Sequence, residues 1–261
     1  MRIEVAFNNN FSSIQKEFGL TDYVCAVIDV IRATTTIATV LAKGAQEIII
    51  AKNKTEAFLL KKIYKHHILC GEEGGHPPKG FDYGNSPLEF SKMTFDGLSI
   101  ILKTTNGTKS FFKTTQAAAS FSLSLVNLGY VMDKIIKMCQ DTRSDLIFIS
   151  SGEKGRTSYD DFYIAGLGIK YLLKKGLELD LSDNAKIAIS ACLGEQSHYE
   201  ALRKSISANS LIKAGLSSDL AFCTREDIYD IAPILKKKQY MKETHADLAK
   251  RSIYVLKAYF D

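Results

Sequence analysis

Short apolar, β-branched runs that alternate with longer helical patterns are the feature that most constrains how this chain folds. The alternation predicts strands at 22–31, 47–51, 67–71, 98–104, 145–152 and 219–224. It predicts helices at 33–44, 54–65, 125–139, 158–176, 195–207 and 244–260, and the run 185–190 fits either type. Continuous apolar strands alternating with helices are typical of an α/β fold, in which helices cover both faces of a largely parallel or mixed sheet.

The domain organisation follows from length and from the lack of a linker. A chain of 261 residues fits one large domain or two small ones. No low-complexity linker interrupts it, so we expect a single domain over 1–261. The segment 105–125 is the best candidate for a change between two subdomains.

Charge and cysteine usage exclude some classes of partner. The net charge is +5 and the longest basic run spans only residues 236–238, which argues against a nucleic-acid partner. No apolar run reaches membrane-spanning length, so we expect no membrane partner. The five cysteines are widely spaced and odd in number, as expected for reduced thiols of a cytoplasmic protein. A homodimer is the generic expectation for a cytosolic enzyme of this size.

Polar residues follow the first of these predicted strands, where ligands collect in an open α/β sheet. Asp29 stands near the end of the strand, Arg32 follows it, and Thr34 and Thr35 open the next helix. A helix N-terminus and an arginine both bind anions, and an aspartate can hold a divalent cation. The alternative is structural, with Thr34 as a helix cap and Asp29 paired with Arg32.

Three further strands are followed by similar segments. Glu72 comes after the strand at 67–71, and the turn Thr105, Asn106, Gly107, Thr108 comes after the strand at 98–104. Gly152 lies in a glycine loop after the strand at 145–152, and Ser158 then precedes Asp160 and Asp161 in the spacing of a helix cap. Each segment, taken alone, is explained by ordinary turn or helix-cap chemistry. Taken together, the segments predict an anion-binding site with carboxylates nearby.

The predicted donors favour one kind of cofactor. Oxygen ligands without a His/Cys cluster suit Mg²⁺ rather than Zn²⁺, and we expect Asp29, Glu72, Asp160 and Asp161 as its ligands. An anion cradle beside an oxygen-ligated cation is what phosphoryl transfer needs.

The same motifs, in this order, resemble the 2-phosphosulfolactate phosphatase (ComB-like) family. The segments that carry the resemblance are "DVIRATTTIATVLAKGA", "GFDYGNSPLEF", "TTNGTKS" and "DDFYIAGLG". It extends over nearly the whole chain, roughly from residue 24 to residue 233.

The resemblance implies a magnesium-dependent phosphatase that converts (2R)-2-phospho-3-sulfolactate to 3-sulfolactate and phosphate, a step of coenzyme M biosynthesis or other sulfonate metabolism. Its substrate is a small phosphorylated and sulfonated anion. We assign Asp29, Arg32 and Asp161 to catalysis. Substrate contacts are expected from Thr34, Thr35, Asp82, Asn85, Ser86, Thr105, Asn106, Gly107, Thr108 and Gly152. Asp29 is either a nucleophile that forms an acyl-phosphate or a metal ligand in a site where a metal-activated water attacks directly.

Two positions depart from the family pattern. Glu73 stands where the family has an arginine, and Asp160 stands where it has a glutamate. The reversed charge at Glu73 leaves two alternatives open, which are a phosphatase for another phosphorylated hydroxy acid and a non-catalytic anion-binding protein on the same scaffold.

Overall fold

The computed structural model describes residues 1–11, 19–238 and 252–260. Within them, ten strands form one mixed sheet in the order β4-β5-β3-β10-β9-β6-β2-β7-β1-β8. The strands are β1 (Arg2–Ala6), β2 (Tyr23–Ile28), β3 (Ile48–Ile50), β4 (Ile68–Gly71), β5 (Ile100–Lys103), β6 (Ala119–Leu123), β7 (Asp145–Ser150), β8 (Asp180–Leu181), β9 (Pro233–Lys238) and β10 (Ile253–Ala258).

Helices occupy most of the connections between the strands. They are α1 (Ala33–Ala42), α2 (Lys54–Ile63), α3 (Pro87–Phe90), α4 (Gly107–Lys113), α5 (Leu128–Thr142), α6 (Tyr159–Lys174), α7 (Asp183–Leu193), α8 (His198–Arg203), α9 (Ile206–Lys213) and α10 (Ser217–Cys223). A 3₁₀ turn, Leu125–Asn127, precedes α5. None of the described helices combines the length and the apolar character needed to span a bilayer.

The central strand β2 explains why the sheet is covered on both faces. All six of its residues are buried. Val24, Ala26 and Ile28 belong to one hydrophobic cluster, together with residues of α5 and α6. Val27 points to the other face and joins a cluster with residues of α1. Because successive side chains of a strand alternate between faces, β2 needs apolar residues throughout. The predicted α/β class is confirmed.

The sheet consists of two parallel groups that run in opposite directions. Strands β6, β2, β7, β1 and β8 form the β2 group, and strands β4, β5 and β3 form the β5 group. Between the groups, β6–β9, β9–β10 and β10–β3 are all antiparallel pairs. Because strand direction reverses three times between the groups, the strands of the β5 group run opposite to those of the β2 group.

Sheet twist brings the carboxyl ends of the two groups back together. Neighbouring strands rotate by roughly 20–25°, so the five steps from β2 to β5 add up to roughly 100–125°. This rotation turns the strands of the β5 group, which would point opposite to β2 in a flat sheet, more than halfway back to the direction of β2. The two groups share a core, because Val27 of β2 lies in one hydrophobic cluster with Ile48 of β3 and Leu102 of β5.

The segment 105–125 carries the chain from one group to the other. It contains α4 and β6, and it links β5 with the β2 group. This is the segment in which we expect a change between two subdomains. That the chain divides into subdomains here remains a prediction.

Two of the secondary-structure predictions were wrong. The run 219–224 forms the greater part of helix α10 rather than a strand, because a short apolar run does not distinguish the two and this one packs against α3 and α9. The predicted helix 244–260 contains strand β10, whose β-branched residues pair with β9 and β3. The rest of that prediction, up to residue 251, lies outside the described residues. The undecided run 185–190 is helical, within α7.

All five cysteines are free thiols in buried positions. Burial raises the pKa of Cys25, Cys70 and Cys223 above the usual thiol range. These groups are packing residues, as expected for reduced core thiols.

Candidate active site

A cavity of about 400 Å³ opens where strands β2, β4, β5 and β7 end. Six of the residues predicted from the sequence line it, namely Asp29, Arg32, Glu72, Asn85, Thr105 and Asn106. They come from the connections after β2, β4 and β5, which belong to both groups of strands. The expectation that polar side chains meet beyond the strand ends therefore holds for these residues.

Asp29 is the most buried carboxylate of the cavity wall, with 9% of the residue exposed. Its Oδ1 accepts a hydrogen bond from the amide of Ala33 at 3.3 Å. Burial is the main cause that raises the pKa of Asp29 to about 7. The carboxylates of Glu72, Asp160 and Glu153 act in the same direction. Asp29 is thus a carboxylate whose charge is costly without a cation nearby.

Gly107 is required by its closeness to Asp29. A Cβ atom at this position would lie 2.8 Å from Asp29 Oδ2 and 2.6 Å from the Cβ of Ala33. Any side chain there would push against both. The glycine that begins α4 therefore acts as a spacer that lets the turn after β5 approach the end of β2.

Glu72 joins two loops of the cavity. Its Oε1 accepts from the amide of Thr105 at 2.6 Å, and its Oε2 accepts from the amide of Gly75 at 3.1 Å. The Lys103 ammonium donates to the Glu72 carbonyl at 3.1 Å. One carboxylate thus fixes the connections after β4 and β5 relative to each other.

Glu153 is a cavity residue that sequence reasoning missed as a site residue. It follows β7, and its Oε2 accepts from Asn106 Nδ2 at 3.1 Å. Burial is the main cause that raises the pKa of this carboxyl. Its glycine loop marked the right place, but nothing in the motif indicated that the side chain faces Asp29.

Arg32 is held by Asp219, which is not among the site residues predicted from the sequence. Arg32 Nη1 lies 2.7 Å from Asp219 Oδ2, and the two side chains are only 4% and 2% exposed. Arg32 Nη2 donates to the carbonyl of Gly75 at 2.7 Å. The guanidinium therefore stands in the cavity wall with both terminal nitrogens engaged.

The connection after β4 contains Pro77, Pro78 and Pro87 and is called the proline-rich loop here. Its residues have different surroundings. Asn85 lines the cavity, and its Oδ1 is buried without a hydrogen-bond partner among the described residues. Ser86 begins α3 by accepting from the amide of Glu89, and its hydroxyl donates to Asp219 at 2.5 Å. Asp82 does not line the cavity and pairs with Lys61 instead.

The threonines that follow β2 and β5 stabilise the backbone. Thr34 Oγ1 accepts from the Asp29 amide at 3.2 Å, and Thr35 donates to the Val30 carbonyl at 2.8 Å. Thr108 donates to the Thr104 carbonyl at 3.0 Å. Thr34, Thr35 and Thr108 are fully buried or nearly so and do not line the cavity. They shape the loops that carry Asp29 and Asn106.

The two aspartates at the start of α6 lie behind the cavity wall. Asp161 accepts from the amides of Val30 and Gly152, each at 2.9 Å, so it clamps the connections after β2 and β7. Burial, followed by the charges of Asp160 and Asp29, holds the pKa of Asp161 well above its usual range. Asp160 is fully buried, accepts from Ser158, and has a buried Oδ2 without a partner among the described residues.

The four predicted metal ligands are not gathered into one group. Within the described ranges, no three His, Cys, Asp or Glu side chains are arranged to hold a metal ion by themselves. Asp29 and Glu72 line the cavity, whereas Asp160 and Asp161 do not. A cation here would need ligands beyond these side chains, such as water or phosphate oxygens.

Helix α9 supplies one wall that sequence reasoning did not foresee. Ser207, Ser210 and Lys213 line the cavity from one side of this helix, and Lys154 adds a cation from the loop after β7. None of the α9 residues follows a strand, so a rule based on strand ends does not predict them.

Comparisons with known proteins agree on one family. A family model described as 2-phosphosulpholactate phosphatase matches residues 10–238. A probable 2-phosphosulfolactate phosphatase of Thermotoga petrophila is 37% identical over 210 residues, covering 80% of this chain and 87% of the relative. One of Carboxydothermus hydrogenoformans is 36% identical over 233 residues, covering 89% and 92%. One of Deinococcus radiodurans is 34% identical, covering 81% and 87%.

Proposed function

The chain belongs to the 2-phosphosulfolactate phosphatase family, and on that basis we propose that it hydrolyses (2R)-2-phospho-3-sulfolactate to 3-sulfolactate and phosphate. The observation that carries the proposal is the position of Asp29. A buried carboxylate with an elevated pKa lies in a polar cavity, and each connection that forms this cavity lies within the matched residues.

The charges of the cavity support a magnesium requirement. Asp29, Glu72 and Glu153 contribute carboxylates to its wall. The charge of Arg32 is offset by Asp219, which leaves Lys154, Lys213 and the imidazole of His76 as the other basic side chains of the described wall. A phosphorylated anion would be repelled by these carboxylates unless a cation stood between them.

The donor set fits Mg²⁺ in the form in which enzymes usually hold it. Proteins commonly bind Mg²⁺ through one or two carboxylates, with water and substrate phosphate as the other ligands. We assign these positions to Asp29 and Glu72, since both line the cavity and both offer only oxygen donors. When bound, the ion would neutralise charge on the phosphoryl group.

Asp29 fits two routes of hydrolysis. In the first, its carboxylate attacks phosphorus, the ester P–O bond breaks, the leaving oxygen takes up a proton, and water then cleaves the acyl-phosphate. In the second, Asp29 accepts a proton from a water molecule that attacks phosphorus directly, the ester P–O bond breaks, and the leaving oxygen takes up a proton. Acid quenching during turnover, followed by borohydride reduction, distinguishes them, because reduction at Asp29 marks only the first route.

Substrate recognition is assigned to groups that face the cavity. The remaining N–H groups of Arg32 and the amides of Asn85 and Asn106 are directional donors for phosphate or carboxylate oxygens. Glu73, the departure from the family pattern, is exposed and does not line the cavity. Its position weakens the argument for a non-catalytic binding protein, which rested on that residue.

A phosphate-release assay tests the proposal. The purified protein is assayed with 2-phospho-3-sulfolactate and a panel of phosphorylated hydroxy acids, with Mg²⁺ or with EDTA. We expect magnesium-dependent release that is fastest with phosphosulfolactate. Faster release from another member would assign the activity to that metabolite, and no release from any member would contradict a phosphatase.

We also place the protein in the cytoplasm, where its five buried thiols would remain reduced. A homodimer remains a prediction, which sedimentation at micromolar concentration tests.

A further inference from the structure

The carboxylate of Asp219 binds groups from two other parts of the chain. Its Oδ2 accepts from Arg32 Nη1 at 2.7 Å. Its Oδ1 accepts from the hydroxyl of Ser86 at 2.5 Å and from the amide of Leu88 at 3.4 Å. Asp219 lies in the first turn of α10, far in sequence from both of these segments.

These contacts determine how Arg32 faces the cavity. The fork of Arg32 is fixed at two points, by Asp219 at Nη1 and by the carbonyl of Gly75 at Nη2. Because the ion pair is buried and hydrogen-bonded at both ends, the guanidinium is held in one orientation. Its remaining N–H groups then act as directional donors rather than as a mobile charge.

The same carboxylate fixes the end of the proline-rich loop, where α3 begins. Ser86 is the residue before α3, and Leu88 lies in its first turn. Asn85, which lines the cavity, directly precedes Ser86. A shift of Asp219 would therefore move two walls of the cavity together.

We propose that Asp219 is a positioning residue of the phosphatase site, which acts through Arg32 and through the segment Asn85–Ser86. This inference rests on the proposed function. It assigns Asp219 no contact with the substrate. It predicts that the geometry of anion binding depends on this side chain even in protein that remains folded.

The test compares Asp219→Asn with Asp227→Asn. Asp227 accepts from the amide of Gly129 at 2.7 Å, is more exposed than Asp219, and does not line the cavity. Circular dichroism and thermal unfolding establish that each variant is folded. Calorimetric titration with inorganic phosphate and Mg²⁺ then gives binding, and initial rates give kcat and KM.

We expect Asp219→Asn to lower kcat/KM and phosphate affinity on the order of 10- to 100-fold, as displaced site geometry does. Asp227→Asn should lower only the melting temperature. Arg32→Ala combined with Asp219→Asn should lose less activity than the product of the two single losses, because part of the effect of Asp219 passes through that arginine.

A purely structural ion pair predicts a different pattern. Folded Asp219→Asn with wild-type kcat/KM and phosphate affinity would overturn the proposal. Should this variant fail to fold, Asp219→Glu keeps the charge but moves the carboxylate by one methylene, and an unchanged kcat/KM would overturn the proposal equally. If the wild type releases no phosphate, the proposed function fails, and the phosphate titrations still test the position of Asp219.

Discussion

Asp29 lies where three features of the chain meet. Strand β2 ends beside it, the glycine at the start of α4 approaches it, and Glu72 and Glu153 face the same cavity from other connections. Burial and neighbouring negative charge both disfavour its ionised form. Such a carboxylate gains most from a cation or from a reaction that consumes its charge, which is the physical basis of the role proposed for it.

Replacing Asp29 by Asn tests that role. The amide keeps the shape of the side chain but can neither attack phosphorus nor accept a proton from water. We expect kcat to fall by at least about 100-fold, a typical loss for a group that takes part in the chemical step. Asp82→Asn is the matched control, since Asp82 pairs with Lys61 away from the cavity, and its kcat should stay within about twofold. Equal activity of both variants would remove Asp29 from the mechanism.

Gly107 offers a second test at this scale. In Gly107→Ala the new methyl group would press on Asp29 Oδ2 and on the Cβ of Ala33. We expect a loss of about 1–3 kcal/mol in the free energy of unfolding, measured in urea, and a fall in kcat/KM. Gly194→Ala is the control, because the nearest atom to its Cβ lies 3.8 Å away and its φ is −82°. A wild-type rate in Gly107→Ala would show that this close approach is unnecessary.

Most of the cavity residues that could be predicted from the sequence lie close to a strand end. Asp29, Glu72 and Asn106 stand within three residues of one, so a rule about strand ends finds them. Asp219 and Lys213 belong to helices whose place beside the cavity depends on tertiary packing. The hydroxyls of Thr34 and Thr35 were expected to face the ligand, but the backbone groups freed at the end of β2 use them instead.

At the scale of elements, the antiparallel ribbon of β9 and β10 joins the two parallel groups of strands into one sheet. It pairs with β6 on one side and with β3 on the other. The sequence did not reveal it. Strand β9 ends in Lys236, Lys237 and Lys238, which resemble a solvated surface, and β10 was mistaken for a helix. Long-range pairing outweighed local pattern in both cases.

Glu47 provides a pH-dependent link at this junction. It precedes β3, is 5% exposed, and forms ion pairs with Lys238 of β9 and with Lys257 of β10, the latter at 3.1 Å. The neighbouring His67 imidazole, together with these ammonium groups, lowers the pKa of Glu47 from 4.5 to about 2. The ionised form therefore stabilises the folded state above about pH 4.5, and this contribution is lost as the pH falls towards 2.

We therefore expect Glu47→Gln to lower the free energy of unfolding at pH 7 by about 1–2 kcal/mol, a value reduced for solvent screening at the partly exposed lysines. The difference between wild type and variant should be smaller by more than half at pH 3. Urea unfolding of both proteins at the two pH values measures it. A difference that is the same at pH 7 and pH 3 would mean that the charge of Glu47 is not the cause.

At the scale of the molecule, the cavity exists because the sheet twists. The two groups of strands are antiparallel to each other. In a flat sheet, the ends of β4 and β2 would therefore point in opposite directions, and Glu72 and Asp29 would lie far apart. Twist over five strands brings the ends of β4 and β5 beside the ends of β2 and β7, and the polar connections then enclose one cavity. The sequence predicted the meeting of these residues without the reversal, since the antiparallel ribbon gave no recognisable signal.

The central claim is that this cavity, with Asp29 in its wall, holds the phosphorylated substrate together with Mg²⁺. The most direct test is a crystal structure of the protein with Mg²⁺ and 3-sulfolactate, collected alongside the Asp29→Asn variant. We predict a magnesium ion about 2.0–2.1 Å from an Asp29 oxygen, the product's anionic groups facing Arg32, and no such ion in the variant. Metal and product bound outside this cavity, or bound identically in both proteins, would contradict the claim.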